Sequence, residues 1–360
     1  MPFRVNAKNC SGLPSFIGRI EKGGDVAKVL SEEIGEVILV SEDNHVFEKV
    51  IFVDLDDLLD GDVVRFNAKQ QEFVVLYRHN SNSNSLFVTD LCNSKCLMCP
   101  QPPKERDSIV FDELLQQVRL LPERISELGI TGGGEPTLLG TKLIILLQEL
   151  AKKSPECHCH ILSNVRLLKN ANFVRKIAEV NLKNLTFGVP LYAATSPEHD
   201  FIVQAPGAFD ETVQAIYNLA SVGYGIEIRV VLHRLTVPEL KRLADFIYNK
   251  FPFVMHVAFM GMEEMGYVKK HREILYISPG EYQSQLFEAV RFLFVRGIPC
   301  SIYNLPLCLT APGLRRFLRA SISDFKVDYS EVCQLCARKL ECPGLFHYQS
   351  KRTEVIPFIV

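Results

Sequence analysis

Apolar and polar positions follow two different periods along this chain, and the change of period divides it. Between residues 34 and 78 the runs IGEVILV, KVIFVDL, DVVRFN and EFVVLYR are short, β-branched and separated by Gly, Asp and Asn. That pattern predicts strands joined by turns. HNSNSNS (79–85) is polar and turn-rich and reads as a linker. Beyond it, strand-like runs alternate with stretches of helical period. The strands are SLFVTDLC, ITGGGEP, HCHILSN, LTFGVPLY, IEIRVVLH and VMHVAFMG. The helices are of the kind TKLIILLQELAKK, with leucines three and four apart. Pro122 predicts a kink or split in FDELLQQVRLLPERISELG. Six such units, ending near residue 298, imply a parallel sheet with right-handed crossovers. Because eight units close a full barrel, six predict an open, partial (β/α)6 barrel in an α/β protein. The expected organisation is an N-terminal β-rich domain (1–84), the partial barrel (85–300) and a Cys-rich extension (301–360).

Composition narrows the functional classes. The chain has 360 residues, a formal charge of −2, 47% hydrophobic and 23% charged residues, as a soluble globular protein does. Near-zero charge argues against binding nucleic acid by bulk electrostatics. No apolar run is long enough for a membrane span, and MPFRVNAKNCSGLPSF is too polar for a secretory signal. The expected compartment is therefore the cytoplasm, where stable disulfides are rare. Eleven Cys, at 10, 92, 96, 99, 157, 159, 300, 308, 333, 336 and 342, then point to metal or redox chemistry.

Cys92, Cys96 and Cys99 form a C-x3-C-x2-C run directly after the first strand of the β/α series. Ligands of parallel sheets bind at the carboxyl ends of strands, so the place suits a site. Three thiolates can hold three irons of a [4Fe–4S] cube and leave the fourth iron open. A zinc knuckle completed by a nearby His or Asp is the alternative. Gly132-Gly133-Gly134-Glu135-Pro136 closes the second strand; taken alone it reads as a Gly-rich turn. Together the two motifs resemble the radical S-adenosylmethionine (SAM) superfamily, with Met98 just before the third Cys and the family's GGE-P motif. The resemblance covers about residues 85–300. It implies that the SAM amino and carboxylate groups chelate the open iron. It also implies reductive cleavage of SAM to a 5′-deoxyadenosyl radical. Gly133, Gly134 and Pro136 would let the backbone approach the cofactor, Glu135 would hold its ammonium, and Met98 would pack near the adenine. Ser163 and Asn164 are candidate ribose contacts or, equally, a helix N-cap. Arg229 on the fifth strand faces the barrel or solvent, since alternation alone leaves its face open.

A second group, Cys333-x2-Cys336-x5-Cys342 with Cys308 upstream, has the residue types of a zinc or iron–sulfur site. Its spacing resembles the C-terminal part of SPASM and twitch extensions, except that Phe346 stands where a full SPASM domain has another Cys. A single auxiliary [4Fe–4S] cluster on Cys308, Cys333, Cys336 and Cys342 is expected, with structural zinc as the alternative and Cys300 as a substitute for Cys308. Cys157-His158-Cys159-His160 looks metal-like, but in a strand alternate residues part to opposite faces, and buried strand positions are the preferred reading.

The stretches RHNSNSNSLFVTDLCNSKCLMCPQPPK, SPEHDFIVQAPGAFDET and LPLCLTAPGLRRFLRASISDFKVDYSEVCQLCARKLECPGLF resemble the His-Xaa-Ser system radical SAM maturases of the C type. That implies a ribosomally made precursor peptide with His-Xaa-Ser repeats as substrate, a second radical SAM maturase as partner, and a flavodoxin or ferredoxin as electron donor. Neither membrane nor nucleic acid is an expected partner. His199 and Asp200, and Glu263 and Glu264, are candidates to line the substrate mouth, with a polar loop ending in a helix N-terminus as the alternative for the first pair and the same alternative for the second. The N-terminal domain is a candidate to bind a leader peptide by strand addition at a sheet edge, or to act as a lid. A small metabolite or RNA as substrate, and a non-enzymatic zinc scaffold, are the competing readings.

Overall fold

A computed structural model describes residues 3–8, 10, 13–23, 26–40, 50–321, 327–346 and 355–359. The N-terminal region forms seven strands: β1 (Arg4–Lys8), β2 (Phe16–Gly23), β3 (Val26–Ser31), β4 (Gly35–Val40), β5 (Val50–Val53), β6 (Val63–Asn67) and β7 (Glu72–Tyr77). They close into a barrel in the order β1-β5-β4-β3-β2-β6-β7, with β1 also paired to β7. All neighbours are antiparallel except β4 and β5. The strands β1, β2 and β3 were not apparent from the sequence pattern, because their apolar positions are diluted by Lys, Arg and Glu on the outer face. Inside, the rings of Phe16, Phe66 and Phe73 lie with centroids 5.2–6.3 Å apart among Ile20, Val29, Val37 and Leu39. Closure changes one expectation. Each described strand has two neighbours, so no free edge is offered for adding a peptide strand.

The 79–85 segment is a pinned turn rather than a loose tether. The Asn84 carboxamide accepts from Arg78 N at 2.8 Å and donates to the carbonyls of Arg78 and Ser81 at 2.9 Å. Beside it the buried Asp62 carboxylate accepts from His79 N and Leu59 N at 2.9 Å and pairs with Arg78 at 3.0 Å.

The second sheet has eight parallel strands in sequence order: β8 (Ser85–Phe87), β9 (Glu127–Thr131), β10 (His158–Leu162), β11 (Leu185–Pro190), β12 (Gly225–Leu232), β13 (His256–Gly261), β14 (Cys300–Tyr303) and β15 (Leu318–Arg319). β8 and β15 do not pair, so the arc is a partial barrel. It exceeds the six predicted strands by β14 and β15, which arise from a stretch that reads as irregular because each is four residues or fewer. Eight helices join the strands: α1 (Phe111–Leu120), α2 (Thr141–Lys153), α3 (Ala171–Ala178), α4 (Ser196–Val203), α5 (Ala208–Ser221), α6 (Leu240–Lys250), α7 (Val268–Leu275) and α8 (Gln283–Phe294). Pro122 ends α1 rather than splitting a longer helix: Leu121 before it is extended, with ψ 155°. α4 and α7 were missed because each is a single short helix of eight residues in a polar loop.

Helix packing follows the stripe rule. In α2, Leu143, Leu146, Leu147 and Leu150 are buried against the sheet. In β12, Ile226, Ile228, Val230 and Leu232 face the helices, which sends Glu227, Arg229 and Val231 to the concave face. Ile17, Val63 and Tyr77 of the small barrel join the same core, and Gln117 Nε2 of α1 donates to Leu76 O at 3.2 Å. The expected extension (301–360) supplies β15 and most of β14 to the arc, and beyond them its described residues add the two-residue strands β16 (Val327–Asp328) and β17 (Leu345–Phe346), paired antiparallel.

Phe66→Ala is expected to cost about 3–5 kcal/mol, read as a lower denaturant midpoint. Phe201→Ala, at an exposed position of α4, is expected to stay within about 0.5 kcal/mol of the parent. Equal effects would mean that the barrel interior is not packed as described.

Candidate functional site

After β8 the chain runs without regular structure through Cys92, Cys96 and Cys99, held by hydrogen bonds from every side. Thr89 Oγ1 donates to Asp107 at 2.5 Å, and Asp107 in turn accepts from Asp90 N at 3.0 Å. The Asp90 carboxylate takes Lys104 Nζ at 3.0 Å and Ser108 N at 3.1 Å. Burial alone would push the Asp90 carboxyl up, but the bonds from Ser108 and Lys104 outweigh it and hold it below its ordinary range. Lys95 N and Leu97 N donate to the last turn of α4, at Val203 O (3.1 Å) and Ile202 O (2.9 Å). Tyr267 N donates to Cys99 O at 2.9 Å, where Gly266, with φ +55°, leaves space that a side chain would fill.

The GGGEP stretch is the inner brace. Gly134 N donates to Thr89 O at 3.1 Å and Glu135 N to Leu91 O at 2.7 Å, so the second strand end continues its ladder along the chain that leads into Cys92. A methyl on Gly134 would run into the Leu91 carbonyl. The close approach that requires glycine here is to the Cys loop itself; Gly133 lies beside the Phe87 ring and the Asp90 carboxylate. Pro136 is buried at the start of a 3-10 turn that Glu135 caps.

Glu135, 2% exposed, accepts four hydrogen bonds. Oε1 takes Thr137 N (2.9 Å), Thr137 Oγ1 (2.5 Å) and Ser163 Oγ (2.6 Å), and Oε2 takes Asn164 N (2.7 Å). Burial pushes its carboxyl up, opposed by the bonds from Ser163, Thr137 and Asn164. Ser163 and Asn164 thus latch the third strand end to the second. Asn164 Nδ2 also reaches Asn93 Oδ1 at 2.7 Å and Cys92 Sγ at 3.9 Å.

Burial raises all three thiols. Cys92 is pushed up to about 11, with Glu135 and Cys99 adding to it; Cys96 rises further, with Cys99 and Cys92 as neighbours; Cys99 rises by burial alone. The three sulfurs are therefore near enough to feel one another, and each must lose a proton to bind metal. Met98 is buried with Tyr192, Ile202 and Val268 in a small apolar cluster under the loop.

Arg229 faces the lumen. Its Nη1 is 3.0 Å from Glu227 Oε1 and its Nη2 3.2 Å from Met260 Sδ. The lumen is polar. Glu227 meets His256 Nδ1 at 2.8 Å, His256 Nε2 meets Ser301 Oγ at 2.9 Å, and His158 meets Thr186 at 3.0 Å. His160 is 4.0 Å from Glu227, and burial lowers its pKa to about 4, so it is neutral. Cys157 and Cys159 are buried in the core on the opposite face, as strand alternation requires. Cys300 is buried there too and does not replace Cys308.

His199 and Asp200 lie on α4, not along the mouth. His199 is buried against Tyr192 and Phe209 and accepts from Tyr192 N at 3.3 Å; Asp200 accepts from Gly207 N (2.6 Å) and Phe209 N (2.8 Å) at the start of α5. Glu264 lines a pocket at the ends of β12–β14. Glu263 stands beside it in the same β13–α7 loop. In the extension Cys308, Cys333, Cys336 and Cys342 all line one pocket, beside Tyr329 and Lys339. Leu307 N donates to Cys342 Sγ at 3.3 Å, and burial raises the Cys308 and Cys333 thiols, with Cys342 adding to both. Among the described residues no three His, Cys, Asp or Glu side chains are gathered as ligands of a single ion.

Two residues escaped sequence reasoning. Arg166 donates from Nη1 to Asn93 O at 2.5 Å and Ser94 Oγ at 3.1 Å, and from Nε to Glu211 on α5 at 2.6 Å. Tyr192, beyond β11, is buried close to Cys96 and Cys99. Neither carries a motif; an Arg two residues beyond Asn164 was the only hint.

Gly134→Ala is expected to abolish iron retention after anaerobic reconstitution, while Gly280→Ala, where a methyl meets nothing, retains it. Arg166→Ala is expected to lower cluster affinity roughly 10–100-fold, seen as faster loss of iron to a chelator. Unchanged loss would show that the clamp is dispensable.

Residues 86–247 match the model of the Radical SAM superfamily. No curated protein matches the chain. Among solved structures, Streptococcus suis SuiB is 18% identical, with a TM-score of 0.48, over 70% of this chain and 53% of its own. The anSMEcpe structure with bound AdoMet and Kp18Cys peptide is 16% identical, with a TM-score of 0.47, over 61% of this chain and 63% of its own. Methylornithine synthase (PylB) is 12% identical, with a TM-score of 0.44, over 61% and 63%. The chain thus spans about half of SuiB and less than two thirds of the other two. Residues 86–247, which carry the Cys loop, the Glu135 latch and most of the lumen strands, are thus the part of the chain that is similar to the radical SAM superfamily.

Proposed function

We propose that this chain is a radical SAM enzyme that modifies a ribosomally made peptide with His-Xaa-Ser repeats. The observation that carries the enzyme reading is the Cys92–Cys99 loop fixed at the carboxyl end of β8 by the backbone of Gly134 and Glu135. Cys92, Cys96 and Cys99 fit a [4Fe–4S] cluster by the chemistry of the donor set: three thiols in one short loop, which backbone hydrogen bonds from Gly134, Glu135 and Tyr267 and to α4 brace. Such a cluster with SAM supplies a 5′-deoxyadenosyl radical. The chain's part is to hold and shield it. Glu135 has three donors on Oε1 and one on Oε2, so Oε2 keeps a lone pair for an ammonium group. Arg166 and Asn164 fix the loop from outside, and Met98 packs with Tyr192 in the apolar cluster beneath it. Arg229 keeps donors for an anionic group of cofactor or substrate, since one of its two partners is only a thioether.

Cys308, Cys333, Cys336 and Cys342, lining one pocket, fit an auxiliary [4Fe–4S] cluster. The peptide substrate, the second maturase and a flavodoxin or ferredoxin donor rest on sequence resemblance to the His-Xaa-Ser maturases of the C type. Among the described residues no helix is long and apolar enough to cross a membrane.

Anaerobic reconstitution is expected to give about eight iron and eight sulfide per chain, and about four of each for Cys336→Ala. With SAM and dithionite the parent should release 5′-deoxyadenosine and Cys96→Ala should not. Zinc without sulfide would sink the enzyme reading. A repeat peptide produced with this chain and the second maturase is expected to change mass; an unchanged peptide would remove the substrate assignment alone.

A further inference from the structure

A line of hydrogen bonds crosses the concave face of the arc over the adjacent strands β12, β13 and β14. Glu227 Oε2 meets His256 Nδ1 at 2.8 Å, and His256 Nε2 meets Ser301 Oγ at 2.9 Å. Tyr303, two residues on in β14, carries the line further, its phenol bonded to Ser301. Alternation puts all four side chains in the lumen, since Ile228, Val257, Cys300 and Ile302 between them lie in the core on the other face. The direction of every bond follows from one end. Burial works to raise the Glu227 carboxyl, but the His256 bond and the Arg229 charge, 3.0 Å away, outweigh it and hold it below the ordinary carboxylate range. Glu227 is therefore ionised and only accepts. In the neutral ring, His256 Nδ1 then carries the proton and Nε2 the lone pair. Ser301 Oγ donates to that lone pair and is left to accept from the Tyr303 hydroxyl. The Tyr303 oxygen keeps its own lone pairs for a donor outside the line. Ser301 is buried and Tyr303 only half-buried, so the line opens to the lumen at the phenol. The other charged or titratable groups that face it are Arg229, His158 and His160 of β10, and Arg319 of β15. His160 Nε2 is buried, has no hydrogen-bond partner among the described residues and lies 4.0 Å from Glu227 Oε1, so it does not compete with His256 for the carboxylate.

We propose that Tyr303, Ser301, His256 and Glu227 form a relay that takes a proton from an O–H, N–H or S–H group of a substrate in the lumen. The Tyr303 oxygen accepts the substrate proton as its own passes to Ser301 Oγ and the Ser301 proton passes to His256 Nε2. The substrate X–H bond breaks with its electron pair left on X, and the His256 ring gains one proton; no electron changes hands. The imidazolium so formed faces the Glu227 carboxylate, a charge-assisted pair that stabilises it. X is left as a nucleophile, ready to form a bond. Tyr303 is the catalytic residue, because it touches the substrate. Ser301 and His256 carry the proton, and Glu227 positions the ring and balances its charge. Burial raises the Tyr303 phenol, so it stays protonated and serves as both donor and acceptor. That a substrate enters the lumen rests on the enzyme reading above; the direction of the line does not.

The first test needs no substrate. Long-range 1H–15N NMR of the reconstituted full chain, labelled in histidine and assigned with His256→Gln, is expected to place the neutral ring's proton of His256 on Nδ1. A proton on Nε2 overturns the relay, because Ser301 then has no lone pair to donate to. The second test compares modification of the repeat peptide, with the second maturase present, against release of 5′-deoxyadenosine. Tyr303→Phe and His256→Gln should lower modification about 100-fold while 5′-deoxyadenosine is still released. In the parent, modification should fall as the pH drops and His256 takes its proton from solvent instead; that acid limb should vanish in His256→Gln. Ser301→Thr, which keeps the hydroxyl, should retain most of the rate that Ser301→Ala loses. Unchanged modification in Tyr303→Phe, or equal loss of both readouts, overturns the relay. Thermal unfolding checks each variant; should His256→Gln misfold, Tyr303→Phe, which removes a single hydroxyl, decides. A peptide that the parent leaves unmodified removes the peptide reading alone, and the His256 tautomer then decides the relay.

Discussion

The Glu135 carboxylate is buried without an ion-pair partner among the described residues and survives there because four donors converge on it, from Thr137, Ser163 and Asn164. Burial works against its charge and the hydrogen bonds work for it. What that balance achieves is geometric. The ends of β9 and β10 are drawn to one point, and the backbone of Gly134 and Glu135 lies against residues 89–91. The loop that carries the three cysteines is thus located by the sheet rather than by its own sequence. Arg166 and Asn164 then have something fixed to grip, and Tyr192 has a fixed neighbour.

The two barrels of the chain obey the same alternation and fill their interiors oppositely. In the small closed barrel the inward positions include Phe16, Phe66, Phe73, Ile20 and Val29, which pack as one apolar core. In the open arc the apolar alternates point outward to the helices, and the concave face carries His158, His160, Glu227, Arg229, His256 and Ser301. A closed barrel has no other use for its lumen than packing. An open one leaves room for a ligand, and its polar lining is affordable because Glu227, Arg229, His256 and Ser301 satisfy one another.

The two cysteine groups differ in what supports them. The first is braced by β8, β9, α4 and the residues before α7. Among the described residues the second is surrounded by short turns and the two-residue strands β16 and β17. There the four cysteines line a single pocket.

From the sequence alone, the α/β arc and the two motifs that meet at its first loop could be read. Period and spacing are local properties, and the C-x3-C-x2-C run and GGGEP each lie within a few residues. The positions of Cys157 and Cys159 followed from alternation for the same reason. Short strands such as β14 and β15 could not be read, since a four-residue run has no period to detect. Nor could closure of the small barrel, which depends on β1 pairing with β7 some seventy residues away. The faces of Arg229 and His199, the clamp of Arg166 on Asn93, and the line from Glu227 through His256 to Ser301 were likewise decided only in three dimensions. The physical reason is common to all of them. Each depends on which strand face or loop end packing turns inward, and packing joins residues that the sequence keeps far apart.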